Sequence, residues 1–486
     1  MAKKNKPRRV KARISRGLRD LMPSQQLARQ WMIDRVRSVY ENYGFLPLST
    51  PAIEYLDVLR GQDEPGDETT KQIFGVVSPE EEALGLRFDL TVPLARVVAQ
   101  YRELSRPFRR YQVAQVWRGD KPDKGRYREF MQFDLDSVGV SSEIADTEII
   151  AGICDTLDAL GVERYQVRYS SRQLLESLLD YAGIERGRAA DVFRVLDKLE
   201  KAGLEKVKLE LTTGYKDESG DIIRGVGLEI SQVERIEEFL AIRPETRDEV
   251  IEQLRALFAD VDGASAAIDT VATISQHLGA LGYGDDRVVL DVSIARGLAY
   301  YTGPIFETVL LDAPQFGSVF SGGRYDGLVQ RFLGEKVPAV GASIGIDRLL
   351  AALEHLGALA ARKSTARVLV TRMDSSLDDE YLAITWQLRR AGIATEVYLG
   401  KPRSVGKQLK YADQWEVPIA LLLGSDEQER GVVTLKDMDV GRRIADDIED
   451  RDEWLARRPG QREVRRDELV ESVRALLAEI DQDAAS

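Results

Sequence analysis

The stretch from Arg118 to Asp136, RGDKPDKGRYREFMQFDLD, sets a cationic loop directly before an amide- and carboxylate-bearing strand. Its first half carries Arg118, Lys121, Lys124, Arg126 and Arg128 around Gly119 and Gly125. That composition suits a polyanion such as a triphosphate or a nucleic-acid backbone. Its second half alternates with a period of two: Phe130, Gln132, Asp134 and Asp136 share one face, Met131, Phe133 and Leu135 the other. A solvated hairpin tip followed by a half-exposed strand accounts for the same residues equally well. The rest of the chain has to decide between the two.

Three further segments could contribute chemistry. LDVSIARGLAYYTGPIFETVL places Arg296 and Gly297 in an apolar region, followed by the adjacent Tyr300 and Tyr301. SGGRYDGLVQRF is a glycine turn carrying Tyr325, and GASIGIDRLLAAL is a small-residue strand leading into a helix with Arg348 in its first turn. Each alone reads as a turn glycine, a core tyrosine or a helix-surface arginine. There is no GxxxxGK[ST] or GxGxxG, so the standard nucleotide folds are not indicated. One cysteine, Cys154, excludes an intrachain disulfide framework and a Cys-rich zinc site. The two histidines, His277 and His355, read as structural helix residues, which argues against His-metal and Ser-His-Asp hydrolysis. The chemistry must therefore run on Arg, Asp, Glu, Gln, Tyr and backbone groups.

The elements that would position these groups are legible along the chain. Its 486 residues suffice for two to four domains, and no apolar run reaches the roughly 20 residues of a membrane span. The basic start lacks the apolar core of a secretory signal, so a cytoplasmic protein is expected. A net charge of −13 opposes indiscriminate nucleic-acid binding but not local basic patches. A helix is expected from about Ser24 to Tyr43, stopped by Gly44, then an extended segment FLPLSTPAIEYLDVL. Strands are expected at LRFDLTV, YQVAQVW, EFMQFDLDSV, RYQVRY, RVVLDVS, IFETVLL and AVGASIG. Helices are expected over Pro93 to Leu104, Ser142 to Leu160 and Arg348 to Leu356. Short connections between many of the strands imply a mainly antiparallel sheet. From about Ser171 to Leu281 the texture is charged amphipathic helix, and after ARKSTA it alternates strand and helix as a small α/β domain does. The last 40 or so residues are highly charged and end in an amphipathic helix.

Taken in order, these segments resemble the histidyl-tRNA synthetases, a family of class II aminoacyl-tRNA synthetases. RGLAYYTG and SGGRYDGL are similar to the two signatures peculiar to that family. The first helix with LPLSTPAIE resembles the class II dimer motif, ending here at Pro51; VWRGDKPDKGRYREFMQFDLD resembles the second motif and GASIGIDRLL the third. The resemblance runs from about Arg16 to Arg443. It implies an α+β multidomain fold: a catalytic domain with a mainly antiparallel sheet flanked by helices (1–170 and 284–360), an inserted helical domain (171–283), an α/β anticodon-binding domain (366–446) and a charged extension (447–486).

It also implies an ATP-dependent, AMP-forming ligase that activates histidine and transfers it to tRNA(His), usually as a homodimer, with Mg²⁺ held mainly by ATP phosphates rather than by a protein metal site. By resemblance, Arg118 and Arg296 are catalytic and flank the α-phosphate. Arg118, Asp120, Arg126, Phe130 and Arg348 match ATP-binding positions, with Phe130 stacking on adenine. Asp89, Thr91 and Gln132 match the positions that receive the ammonium, Leu90 matches a further histidine-binding position, and Asp136 and Tyr301 match those that pair with the imidazole. Tyr300 and Tyr325 line the same pocket, in which Arg118 and Arg296 also meet histidine. Catalysis would be positioning plus electrostatics, with no protein nucleophile.

The chain departs from the pattern in places. Asp89 and Asp136 replace the glutamates of many bacterial members, and Ala299 stands where most members have Asp. Nothing in the sequence explains Ala299. A second reading on the same fold is the catalytically silent histidine-sensing paralogue of histidine biosynthesis, which typically lacks the anticodon-binding domain and loses catalytic arginines. Arg118, Arg296 and Arg348 are all present here.

Overall fold

The computed structural model describes residues 10–61, 72–122, 125–217, 220–295, 300–359, 362–401, 404–440 and 460–483. The chain divides into two compact units, Met1–Asp20 with Arg29–Leu359, and Leu21–Ala28 with Ala360–Ser486.

The strands of the first unit are, in chain order, β1 (Leu46–Pro47), β2 (Ile53–Tyr55), β3 (Gly75–Val77), β4 (Ala83–Leu86), β5 (Phe108–Trp117), β6 (Glu129–Val138), β7 (Tyr165–Ser171), β8 (Gly214–Lys216), β9 (Ile222–Arg224), β10 (Val288–Leu290), β11 (Pro304–Leu310), β12 (Phe320–Arg324) and β13 (Ala339–Gly345). Eight of them form one sheet in the order β1-β5-β6-β13-β12-β11-β7-β10. From β5 to β7 every pairing is antiparallel; only the edge pairs, β1 with β5 and β10 with β7, are parallel. The β5–β6 hairpin needs no crossover, which is why short connections foretell the antiparallel centre.

The alternation read in β6 sorts its side chains onto the two faces. Phe133 and Leu135 are fully buried. Phe133 meets Tyr40 of the helix Pro23–Asn42 edge-on at 4.9 Å between ring centroids. Leu135 faces the helix Glu143–Ala159, where Gly152 permits close approach: a Cβ there would lie 3.4 Å from the leucine methyl. Each such burial stabilises by roughly 2–3 kcal/mol. That helix starts where Ser142 accepts the amide of Ile144 at 3.3 Å, an N-cap its sequence announces. Gln132, Asp134 and Asp136 are left facing the other way.

Two expected strands are corrected. LRFDLTV is not a strand: β4 ends at Leu86, and Thr91 opens the helix Thr91–Gln100. The Asp89 carboxylate accepts the amide of Val92 at 3.0 Å, and Pro93 sits in the first turn, so helix-start chemistry overrides the β-branched run. FLPLSTPAIEYLDVL is extended only as far as Tyr55, after which Leu56–Arg60 is helical. Residues 172–217 and 220–280 form a set of helices and the antiparallel pair β8–β9. His277 lies in the helix Ala264–Ala280 and His355 at the end of Ile346–His355. Cys154 is buried, its thiol pushed up to about 12 by burial.

The second unit has its own sheet of β14 (Val368–Val370), β15 (Thr395–Val397), β16 (Ile419–Leu422), β17 (Val432–Asp437) and β18 (Gln461–Arg465), in the order β15-β14-β16-β17-β18. The first three are parallel and the last two antiparallel. The charge-based boundary at 446 does not coincide with the end of this fold. β18 pairs with β17, and the helix Leu469–Asp483 buries Leu469, Val473, Leu476 and Ile480 in the same core as Val368, Ile419 and Leu435. The charges that suggested a separate extension lie on the outward faces of these elements, as in the exposed Arg462–Glu479 pair. Residues 447–459 of that extension lie outside the described residues.

Candidate active site

The polar face of the large sheet is the floor of a cavity of about 300 Å³. Register explains who meets there: Asp136 is opposite Arg110 on β5 and Gly341 on β13, and Asp134 is opposite Gln112 and Ser343. Across β12 and β11 the floor continues through Ser321 to Glu307. The small residues of GASIG and SGG let the strands and their carboxylates crowd together. A Cβ on Gly341 would sit 2.0 Å from Asp136 Oδ1 and 2.6 Å from the Leu135 carbonyl, and one on Gly322 would sit 2.3 Å from the Gly341 carbonyl. Gly341→Ala is therefore expected to raise the KM for the ligand seated on Asp136 about tenfold or more, as overpacking of 1–3 kcal/mol implies. Steady-state kinetics with that ligand varied would detect it, and an unchanged KM would show that Asp136 can yield.

The walls come from loops and helix starts. Asp89 and Thr91 enter at the turn between β4 and the helix Thr91–Gln100. Asp89 is 2% exposed, its Oδ2 is buried without a hydrogen bond, and burial raises its pKa against the pull of the Val92 amide and of Arg118. Arg118 directly follows β5, its Nε donating to the Phe88 carbonyl at 2.9 Å and its guanidinium 5.2 Å from the centre of the Phe130 ring. Gln132 Nε2 donates to Ser343 Oγ at 3.0 Å. Tyr325 donates its hydroxyl to Asp136 Oδ1. Its neighbour Arg324 turns to the opposite side, holding Asp146 with Nε at 3.1 Å and the Val140 carbonyl at 2.8 Å, which anchors the turn that aims Tyr325 inward. Tyr300 stacks edge-on against Tyr301 at 5.1 Å and Tyr325 at 6.0 Å. Arg348 stands in the first turn of Ile346–His355, its Nη1 donating to the Ser318 carbonyl at 2.6 Å.

Of the residues singled out in the sequence, Asp89, Thr91, Arg118, Gln132, Asp136, Tyr300, Tyr301, Tyr325 and Arg348 thus line one cavity. Others sit apart. Asp120 and Arg126 pair with each other at 2.6 Å in the loop between β5 and β6, and Phe130 lies behind Arg118. Leu90 is fully buried and contributes its carbonyl, which accepts from Arg110 Nη2 at 3.0 Å. Arg296, with Gly297 and Ala299, falls outside the described residues, as does Lys124. Sequence reasoning passed over Arg110, Ser343, Ser321 and Glu307, and it left Asp134 without a role. The signal for Arg110 was an arginine inside a strand otherwise built for burial. The signals for the others lay in cross-strand register, which a single sequence does not print.

The cavity thus lies on one face of an antiparallel sheet, lined by Arg118 just after β5 and by Arg348 on the helix Ile346–His355. The model of the histidyl-tRNA synthetase family matches residues 17–349, and that of an anticodon-binding domain matches residues 366–476. The histidine–tRNA ligases of Cereibacter sphaeroides and Paracoccus denitrificans are each 43% identical to the chain, covering 98% of it and 100% of their own length. The crystal structure of histidyl-tRNA synthetase from Nostoc sp. PCC 7120 superposes with a TM-score of 0.80 at 32% identity, covering 96% of this chain and 100% of that one. The chain belongs to the histidyl-tRNA synthetase family. A Bacillus halodurans structure described as an ATP phosphoribosyltransferase regulatory subunit/histidyl-tRNA synthetase, at 22% identity and a TM-score of 0.66, shares the fold.

Proposed function

We propose that this protein is a histidine–tRNA ligase, which joins histidine to ATP as histidyl-adenylate and then passes the histidyl group to the 3′ end of tRNA(His). The observation that carries the reading is the convergence of Asp89, Gln132, Asp136, Arg118, Tyr301 and Tyr325 on one cavity, in a chain 43% identical over its length to histidine–tRNA ligases. In the first step a histidine carboxylate oxygen attacks the α-phosphorus. The bond to the bridging oxygen breaks, and pyrophosphate leaves with the electron pair. Arg118 neutralises the charge that builds on the α-phosphate oxygens, and Arg296, by its match to the family motif, does so from the other side. Asp89, Thr91, the Leu90 backbone and Gln132 take the ammonium, and Asp136 with Tyr301 takes the ring, with Tyr300 and Tyr325 closing the pocket. Asp120, Arg126, Phe130 and Arg348 serve ATP: Phe130 by stacking on adenine, the arginines on the outer phosphates. In the second step a ribose hydroxyl oxygen of tRNA attacks the acyl carbon and AMP departs.

Among the described residues no group of three or more His, Cys, Asp or Glu could hold a metal ion. By the family resemblance Mg²⁺ would be held mainly by ATP, and Glu307, opposite Ser321 on the cavity floor, would be a carboxylate within the site for it. There Mg²⁺ would offset phosphate charge. Homodimer formation through the Pro51 motif is supported by the exposed Leu46, Ile53 and Tyr55 beside it. No helix among the described residues is long and apolar enough to cross a membrane, and a cytoplasmic location goes with the tRNA substrate. The match of residues 366–476 to an anticodon-binding domain favours the ligase over a histidine-sensing regulator. Purified protein is expected to exchange labelled pyrophosphate into ATP when histidine is added and not with the other amino acids. Exchange at background with all twenty would sink the reading.

A further inference from the structure

The cavity floor holds a charge imbalance that adenylation as written above does not use. Asp134 and Asp136 lie two residues apart on the same face of β6, each 2% exposed. Among the described residues one guanidinium serves both. Arg110, fully buried on β5, places Nη2 2.8 Å from Asp136 and 3.8 Å from Asp134, and the same atom donates to the Leu90 carbonyl. Asp134 Oδ1 and the neighbouring Gln132 Oε1 are buried with no hydrogen bond. Of the neighbouring cations, Arg118 donates to the Phe88 carbonyl, and Arg87 donates to the carbonyls of Gln115 and Thr50 while acting on Asp134 only through space. Arg331 acts on Asp89, which adds a further negative charge to the pair's surroundings. The tyrosines facing the pair are Tyr300, Tyr301 and Tyr325 from the cavity side and Tyr40 from the opposite side, and burial raises the pKa of all four, so they stay neutral.

Among the described residues two buried carboxylates face one contacting cation, and the negative charge this leaves either captures a proton or recruits a cationic ligand group, because an uncompensated buried charge is costly. Burial pushes the Asp134 carboxyl up to about 7 against the pull of Arg110, with the like charge of Asp136 adding to the rise. Histidine's ring loses its proton near the same pH, at about 6.5. We propose that Asp134 is a specificity-determining residue: with Asp136 and Arg110 it makes the occupied subsite keep one proton, shared between the histidine ring and the two carboxylates. This rests on the reading of the cavity as the histidine site. A doubly protonated ring donates to both carboxylates, and a neutral ring beside one carboxylic acid has the same proton count. Either arrangement gives the buried Asp134 Oδ1 a donor or a proton. Above neutrality the free ring and Asp134, its carboxyl pushed up to about 7, have largely lost that proton, so binding draws it from the buffer.

The test is calorimetric titration of histidine into the full chain at about pH 8, in phosphate and in Tris, whose ionisation enthalpies differ. The parent protein is expected to take up close to one proton per histidine at about pH 8, and to take up none or release some at about pH 6. Asp134→Asn, or Asp134→Ser should the amide disturb folding, is expected to bind histidine more weakly and with less than about a quarter of that uptake at about pH 8. A purely structural role for Asp134 would weaken binding without changing the proton count. Histidine binding by the parent without proton uptake overturns the proposal alone, as does unchanged uptake in the variants. No histidine binding by the parent overturns the histidine reading of the cavity as well.

Discussion

Arg118→Gln is expected to lower the rate of histidine-dependent pyrophosphate exchange by about 10³-fold while leaving the melting temperature of the protein unchanged. The side chain directly follows β5 at the rim of the cavity, and two contacts hold it: the Phe88 carbonyl on Nε at 2.9 Å and the Phe130 ring 5.2 Å from the guanidinium carbon. A guanidinium so anchored needs no reorganisation when the negative charge of the α-phosphate builds, which makes it worth most in the transition state. Glutamine keeps a donor of similar reach and removes the charge, so the loss should fall on kcat more than on the KM for histidine. The fold should tolerate it, because Arg118 forms no ion pair among the described residues. A rate within tenfold of the parent would remove Arg118 from the chemical step.

Asp136→Asn should instead act on recognition. We expect the KM for histidine to rise about 10²- to 10³-fold, while the KM for ATP moves much less. The isosteric amide replaces a carboxylate that accepts the Tyr325 hydroxyl, pairs ionically with Arg110 and would accept from the ligand ring with a neutral group whose NH₂ is itself a donor. It also strips the buried Arg110 of its close countercharge, which costs about 3–5 kcal/mol when nothing replaces it. Part of that loss should appear as a lower melting temperature without ligand, so both quantities need measuring. An unchanged histidine KM beside a changed ATP KM would place the ring of the substrate somewhere other than on Asp136.

The two variants probe parts of the site that were unequally legible. Arg118 sits at a strand end before a glycine-bearing cationic loop, and its importance follows from residue types in a row. Asp136 could be put on a polar strand face by alternation alone, since Phe133 and Leu135 had to go inside. LRFDLTV misled because three β-branched or aromatic residues outweighed Asp, Thr and Pro in helix-start positions, where a single carboxylate–amide bond turns the chain. The pairing of Asp120 with Arg126 was unreadable for a different reason. Both residues suit a phosphate, and only the loop's path decides that they meet each other.

Neighbours along the chain were enough to set the period and ends of β6 and β13 and the motifs that the family model matches, because these are local in the sequence. The partners of the carboxylates come from the folded sheet. Tyr325 reaches Asp136 across 189 residues of chain, and Arg110 meets both aspartates through the register of a hairpin. Which buried charge goes unbalanced is a sum over strands brought together by burial of their apolar faces, and that sum exists only once the sheet has formed.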